Sequence, residues 1–252
     1  MNTLLKRSMK FKDETPTWLN DYLGISDPQE GDIINLAGQK FIHRDGILRN
    51  QLLLSETQSR TEETFCFKWK KRNTYDSKAS LARMRSWLLE RYGDISSADW
   101  LSEHGENPIL LDAGCGAGMS TLELFSPLIP HIRYLGIDIS PAVDVAVKRF
   151  AEKKLKGTFM QVDISRPPFP PNSVDLIFSE GVLHHTDSTK NSLLSLARLL
   201  KKGGRFLFYV YHRKGPLREF TDDHIRDKLQ SMPPQYAWEA IEPLTKLGIA
   251  LG

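Results

Sequence analysis

Only two cysteines, Cys66 and Cys115, occur in 252 residues. Two well-separated thiols build neither a disulfide framework nor a zinc ligand set, so no metal is expected and a reducing cytoplasm is the expected compartment. No apolar run approaches the roughly 18 residues a membrane span needs, so no membrane insertion is expected. The opening MNTLLKRSMKFKDETP has basic residues with no apolar segment behind them and does not read as a secretory signal. An excess of one charge is missing too. Lys and Arg number 34 against 31 acids, a net charge of +3, which is too little to imply nucleic acid or an anionic membrane as partner. Repeats and low-complexity tracts are absent. What remains is an ordinary globular composition, 40% apolar and 26% charged, long enough for one large domain with an attachment.

Residues 105–215 carry the strongest pattern. Five short apolar runs, PILLD (108–112), RYLGID (133–138), GTFMQV (157–162), VDLIFS (174–179) and RFLFYVY (205–211), read as strands buried on both faces, as parallel strands are. The links between them read as helices. Ser140 suits an N-cap with Pro141 behind it, and Val143, Ala146, Val147 and Phe150 fall on one face. NSLLSLARLLKKGG reads as a helix with two lysines in its last turn and Gly203–Gly204 beyond. The fold class that follows is α/β, a doubly wound, mostly parallel sheet. Residues 1–104 read as an N-terminal extension with a small hairpin turning near Ala37–Gly38. They also hold an amphipathic helix presenting Leu81, Met84, Leu88 and Tyr92. Residues 216–252 read as a helical segment. Thr221 suits a cap there, Asp222 and Asp223 suit the first turn, and a second helix follows Pro234. The chain stops in apolar residues, and the expectation is that it is cut short.

The chemistry concentrates at the ends of the strands, where open parallel sheets bind ligands. The stretch ILLDAGCGAGMST (109–121) sets Asp112 and Ala113 before Gly114, Gly116 and Gly118. Asp138 ends the second strand, Asp163 follows the third, and Ser179 and Glu180 end the fourth. A phosphate-cradling loop needs Gly-Lys-Ser/Thr, and this one has no lysine. A dinucleotide loop needs a third glycine where Met119 stands. A carboxylate at Asp112 repels a pyrophosphate and attracts an ammonium, or it accepts from a loop amide or water. Alternatively it caps the next helix. Asp138 suits a ribose diol, since an ionised carboxylate only accepts, or it favours a helix N-terminus. Ile139 can press on an adenine, and Asp163 can accept from the adenine amino group with Ile164 stacking nearby. Asp163 reads equally well as a solvated loop acid.

LLDAGCGAG, GIDIS, QVDI and SEGVLHHTD…LARLLKKGGRFLFYVY together resemble the class I S-adenosylmethionine-dependent methyltransferases over roughly residues 105–211. DGILR…TFCFKWKKRNTYDS resembles the N-terminal extension of a bacterial subgroup, without the cysteines of the ribbon that relatives often carry there. The resemblance implies S-adenosylmethionine as cofactor. It implies binding by Asp112, Ala113, Gly114, Gly116, Gly118, Asp138, Ile139, Asp163, Ile164 and Ser179. The antiparallel strand pair that usually closes the family's sheet is not found.

The acceptor end is less defined. His184 and His185 follow the fourth strand, and either suits a general base or a structural role. Glu180 suits a contact with loop or substrate. The fourth strand leads into SEGVLHH rather than the Asn/Asp-Pro-Pro-aromatic pattern of amide and exocyclic amino methylators. The expected acceptor is therefore a small molecule, with no nucleic acid. The basic run FKWKKR (67–72) reads as a solvated or docking segment, and Cys115 is assigned no chemistry. Two other functions fit less well, a cofactor-holding module without turnover that docks a partner, and a nicotinamide-dependent oxidoreductase.

Overall fold

In a computed structural model, the structure describes residues 15–51, 76–95, 104–211 and 231–251, with 58, 59, 63, 64, 67, 224, 225 and 227–229 besides. The Thr221 cap and most of the FKWKKR run lie outside them. Eight strands form one sheet: β1 (Ile33–Leu36), β2 (Gln39–Arg44), β3 (Ile47–Asn50), β4 (Ile109–Ala113), β5 (Arg133–Asp138), β6 (Thr158–Gln161), β7 (Val174–Glu180) and β8 (Leu200–Tyr209). Helices whose full bounds fall among the described residues accompany them: α1 (Thr17–Leu23), α2 (Lys78–Tyr92), α3 (Met119–Phe125), α4 (Val143–Glu152), α5 (Thr189–Ala197) and α6 (Pro234–Leu251).

The strand order is β1-β2-β3-β6-β5-β4-β7-β8. From β6 to β8 all pairs are parallel, so the winding reverses between β5 and β7 with β4 at the centre. The predicted hairpin is present. Ala37 and Gly38 have φ of 48° and 76°, and positive φ at both positions matches the twist of a two-residue hairpin. Asp45 and Gly46 (φ 54° and 72°) make a second such turn into β3. β3 then pairs in parallel with β6, Leu48 beside Met160. The N-terminal extension and the predicted sheet region thus share one sheet.

Successive side chains of a strand point to opposite faces, and two cores follow. Leu111, Leu135, Ile137, Met160 and Ile177 pack with Leu19 of α1 and Leu196 of α5. Leu110, Tyr134, Phe159 and Phe178 pack on the other face with Leu88 of α2, Phe125 of α3 and Phe150 of α4. The expected face of α4 is there, with Val143, Ala146 and Phe150 buried. In α2 the stripe Leu81, Met84, Leu88, Tyr92 is inward, and Leu88 is fully buried.

Three expectations are corrected. Ser140 does not cap α4, which starts only at Val143. Its hydroxyl instead donates to Asp138 (2.7 Å) and accepts from the Ala142 amide (3.3 Å), forming a turn before the helix. Lys201, Lys202, Gly203 and Gly204 are not a helix end but the start of β8. Leu200 pairs with Val174, Lys201 reaches both oxygens of the buried Asp175 at 2.9 Å, and the chain bulges before Arg205. β8 is not buried on both faces either. It borders the sheet with a neighbour on one side, and Phe208 is 42% exposed.

Candidate active site

β4 runs directly into the glycine loop at the point where the winding reverses, the place where such sheets leave a crevice. Gly114, Gly116 and Gly118 have φ of 83°, 50° and 73°, a region an L side chain enters only with strain. The amides of Gly114 and Cys115 donate to the Ile137 carbonyl at 2.8 and 2.9 Å, so the loop folds over the end of β5. A side chain on Gly114 would collide with Val182. Gly118 stands at the N-cap of α3 with no side-chain cap.

Asp112 is buried beneath this loop. It accepts from the Thr121 hydroxyl of α3 and from Tyr134 Oη at 2.8 Å. Burial pushes its carboxyl up from the usual range to about 7, opposed by those two donors. It therefore braces loop, helix and β5 rather than capping α3. Asp138 is more committed than its sequence position suggests. One oxygen accepts from the Gly116 amide (2.8 Å), and the other from the Ser140 amide (2.9 Å) and hydroxyl (2.7 Å). Of roughly four acceptor positions on a carboxylate, about one remains free. Burial raises the Asp138 pKa, and the Ser140 and Gly116 donors oppose that rise. Asp163 accepts from the Ser165 amide at 2.8 Å and from Gln58 at 3.3 Å.

These groups open on one cavity of about 940 Å³, lined by Asp112, Gly114, Gly116, Asp138, Ile139, Asp163 and Ile164, and also by Glu180 and His185. Four sequence-predicted residues do not line it. Ala113 and Ser179 lie behind, joined by a 2.8 Å bond from Ser179 Oγ to the Ala113 carbonyl that ties β7 to β4. Gly118 sits at the start of α3. His184 stacks on Tyr211 with ring centroids 4.0 Å apart, and neither of its ring nitrogens has a hydrogen-bond partner among the described residues. Burial lowers its pKa.

The roof of the cavity was not anticipated. Ser80, Arg83, Met84, Trp87, Leu88 and Arg91 of α2 line it, recurring every three or four residues along one helical stripe. The far end of α2 is pinned to β7. Arg91 and Tyr92 both reach the Glu180 carboxylate, Tyr92 at 2.6 Å, and the Arg91 guanidinium lies 3.6 Å over the Tyr209 ring. The readable signal was Trp87, an aromatic residue off the apolar stripe of a helix just before the glycine loop.

The parallel order around β4, with the glycine loop at the winding reversal and two acids at the neighbouring strand ends, defines a Rossmann-like α/β fold. Residues 111–208 match the family model described as a methyltransferase domain. An uncharacterized methyltransferase, YcgJ of Bacillus subtilis, is 32% identical over 120 residues, 47% of this chain and 45% of that protein. A malonyl-[acyl-carrier protein] O-methyltransferase of Paenibacillus sp. is 30% identical over 108 residues, 41% of this chain and 39% of that protein. The crystal structure of YcgJ superimposes with a TM-score of 0.45 at 25% identity, covering 59% of this chain and 58% of that one. The chain spans less than half the length of these curated relatives. Among the described residues, no helix is long and apolar enough to cross a membrane and no group of three acidic, His or Cys side chains could hold a metal ion.

Proposed function

We propose that this chain transfers a methyl group from S-adenosylmethionine to a small-molecule acceptor. The observation that carries the reading is the single cavity uniting Asp112, the glycine loop, Asp138 and Asp163 at the winding reversal. Its donor set suits the cofactor. The loop half of the cavity offers carboxylates and apolar Ile139 and Ile164, with no cation, which favours a ligand without phosphate. Met119, buried at 4% exposure, stands where a dinucleotide loop has its third glycine.

In this reading Asp138 holds the loop through the Gly116 amide and offers its remaining acceptor position to a ribose hydroxyl. Ile139 and Ile164 flank the adenine, and Asp163 accepts from its amino group. The cofactor, when bound, supplies an electrophilic methyl group on a sulfonium. The chain's own contribution is alignment and exclusion of water, with α2 over the cavity. If the acceptor must lose a proton, His185, on the cavity wall, is placed for it and His184 is not. The volume is near the upper end of the roughly 300–1,000 Å³ of small-molecule sites, which supports room for both cofactor and a small acceptor. The Paenibacillus relative is named for O-methylation of a malonyl-[acyl-carrier protein], and the acceptor atom of this chain is left to experiment.

The test is calorimetric titration with S-adenosylhomocysteine. Micromolar binding is expected in the native protein, and Asp138→Ala should weaken it at least tenfold with the circular-dichroism spectrum retained. Stabilisation by NAD and not by S-adenosylhomocysteine would overturn the reading. Labelled S-adenosylmethionine in lysate should then yield a labelled small molecule. Tight binding without any labelled product would favour a module that holds the cofactor without turnover.

A further inference from the structure

The four acids on the cavity wall are all engaged by donors of this chain. Asp112 accepts from Thr121 and Tyr134, Asp138 from Gly116 and Ser140, Asp163 from Ser165 and Gln58, and Glu180 from Arg91 and Tyr92. Of the two arginines on the wall, Arg91 is neutralised by Glu180 and lies on the Tyr209 ring. Arg83 lines the same cavity, and no acceptor reaches it among the described residues. The charge left without a partner on this wall is therefore a guanidinium, whose planar fork of donors suits a carboxylate.

Flat aromatic side chains share this cavity with it. Trp87, one turn along α2 from Arg83, is 52% exposed, and Tyr211 is 59% exposed; both line the cavity. Exposed aromatic faces inside a cavity are unusual for side chains that could be packed away, and they provide stacking area at low entropic cost. Tyr211 is itself backed by His184 (centroids 4.0 Å) and Tyr209 (5.8 Å), which hold its ring in place.

We propose that the methyl acceptor is a planar, anionic small molecule, an aromatic or similarly conjugated carboxylate. Arg83 takes its carboxylate, and Trp87 and Tyr211 contact its ring. This rests on the methyl-transfer reading of the same cavity, and it sets the substrate class rather than the atom methylated.

The experiment uses the full chain saturated with S-adenosylhomocysteine, whose binding is measured first. Matched acid and amide probes are then titrated by calorimetry: benzoate and benzamide, 2-naphthoate and 2-naphthamide, indole-3-acetate and indole-3-acetamide. At least one acid should bind tenfold or more tightly than its amide. Arg83→Gln should erase that preference, Arg83→Lys should keep part of it, and Trp87→Ala should weaken acid and amide alike. Thermal midpoint and S-adenosylhomocysteine affinity serve as the folding control for each variant. If S-adenosylhomocysteine binds and no acid exceeds its amide, or if Arg83→Gln leaves the preference intact, the proposal fails while the cofactor reading stands. If S-adenosylhomocysteine does not bind the native chain, both fail together.

Discussion

Asp112 carries a cost that its neighbours only partly offset. Its carboxyl is buried at 3% exposure, and desolvation lifts it to about 7 against the two donors Thr121 and Tyr134. An acid raised in the folded state adds most stability when protonated, below its unfolded value near 3.8. That contribution is lost as pH rises through about 7. Asp112→Asn keeps an acceptor for Tyr134 and removes the charge. Its stability relative to the native chain should therefore climb between pH 4 and pH 8 by an amount on the order of a few kcal/mol. Urea unfolding of both proteins across that range measures it, and a flat difference would refute the assignment. His43 is a second residue with an open account. It is fully buried in β2, and neither ring nitrogen has a partner among the described residues. His43→Leu should stabilise the fold by about 1–3 kcal/mol, the usual cost of an unmet buried polar group, read as a higher melting temperature.

At the scale of elements, α4 depends on one ring. Phe150 stacks on Tyr134 at 4.7 Å and meets Phe159 edge-on at 5.1 Å. Phe150→Ala should cost about 3–5 kcal/mol, measurable in denaturant with the slope unchanged. The five parallel strands were legible because β4, β5 and β7 are nearly continuous apolar runs. β3 was not recognised, although Asp45–Gly46 is among the strongest hairpin signals in a sequence. Its four residues, Ile47–Asn50, are too few for a periodicity to register. The start of β8 was misread for a different reason. Lys201–Gly204 has the composition of a helix end, and only the buried Asp175, distant in sequence, draws Lys201 into the sheet. In the site, the loop and Asp138 were readable from spacing. The roof was not, because Arg83, Trp87 and Arg91 gain their meaning only when α2 crosses the strand ends.

For the whole molecule, the sheet is continuous from the N-terminal hairpins to β8, so the hairpin strands β1, β2 and β3 are structural. Phe41 and Leu48 are fully buried, and β3 covers the edge of β6. Removal of residues 1–51 should expose that edge, lower the melting temperature and make the protein self-associate with rising concentration. Sedimentation velocity at two concentrations distinguishes this from a tolerated deletion.

The glycine loop also bears on how fast a ligand is captured. Its left-handed residues are held by the chain's own groups, the Ile137 carbonyl and the Asp138 carboxylate. The ordering entropy of this loop is thus spent during folding rather than at encounter. Association of cofactor should then follow a single concentration-dependent phase in stopped-flow, with no slower rearrangement of the loop behind it. Differences in affinity among loop variants should appear in the rate of escape rather than the rate of arrival.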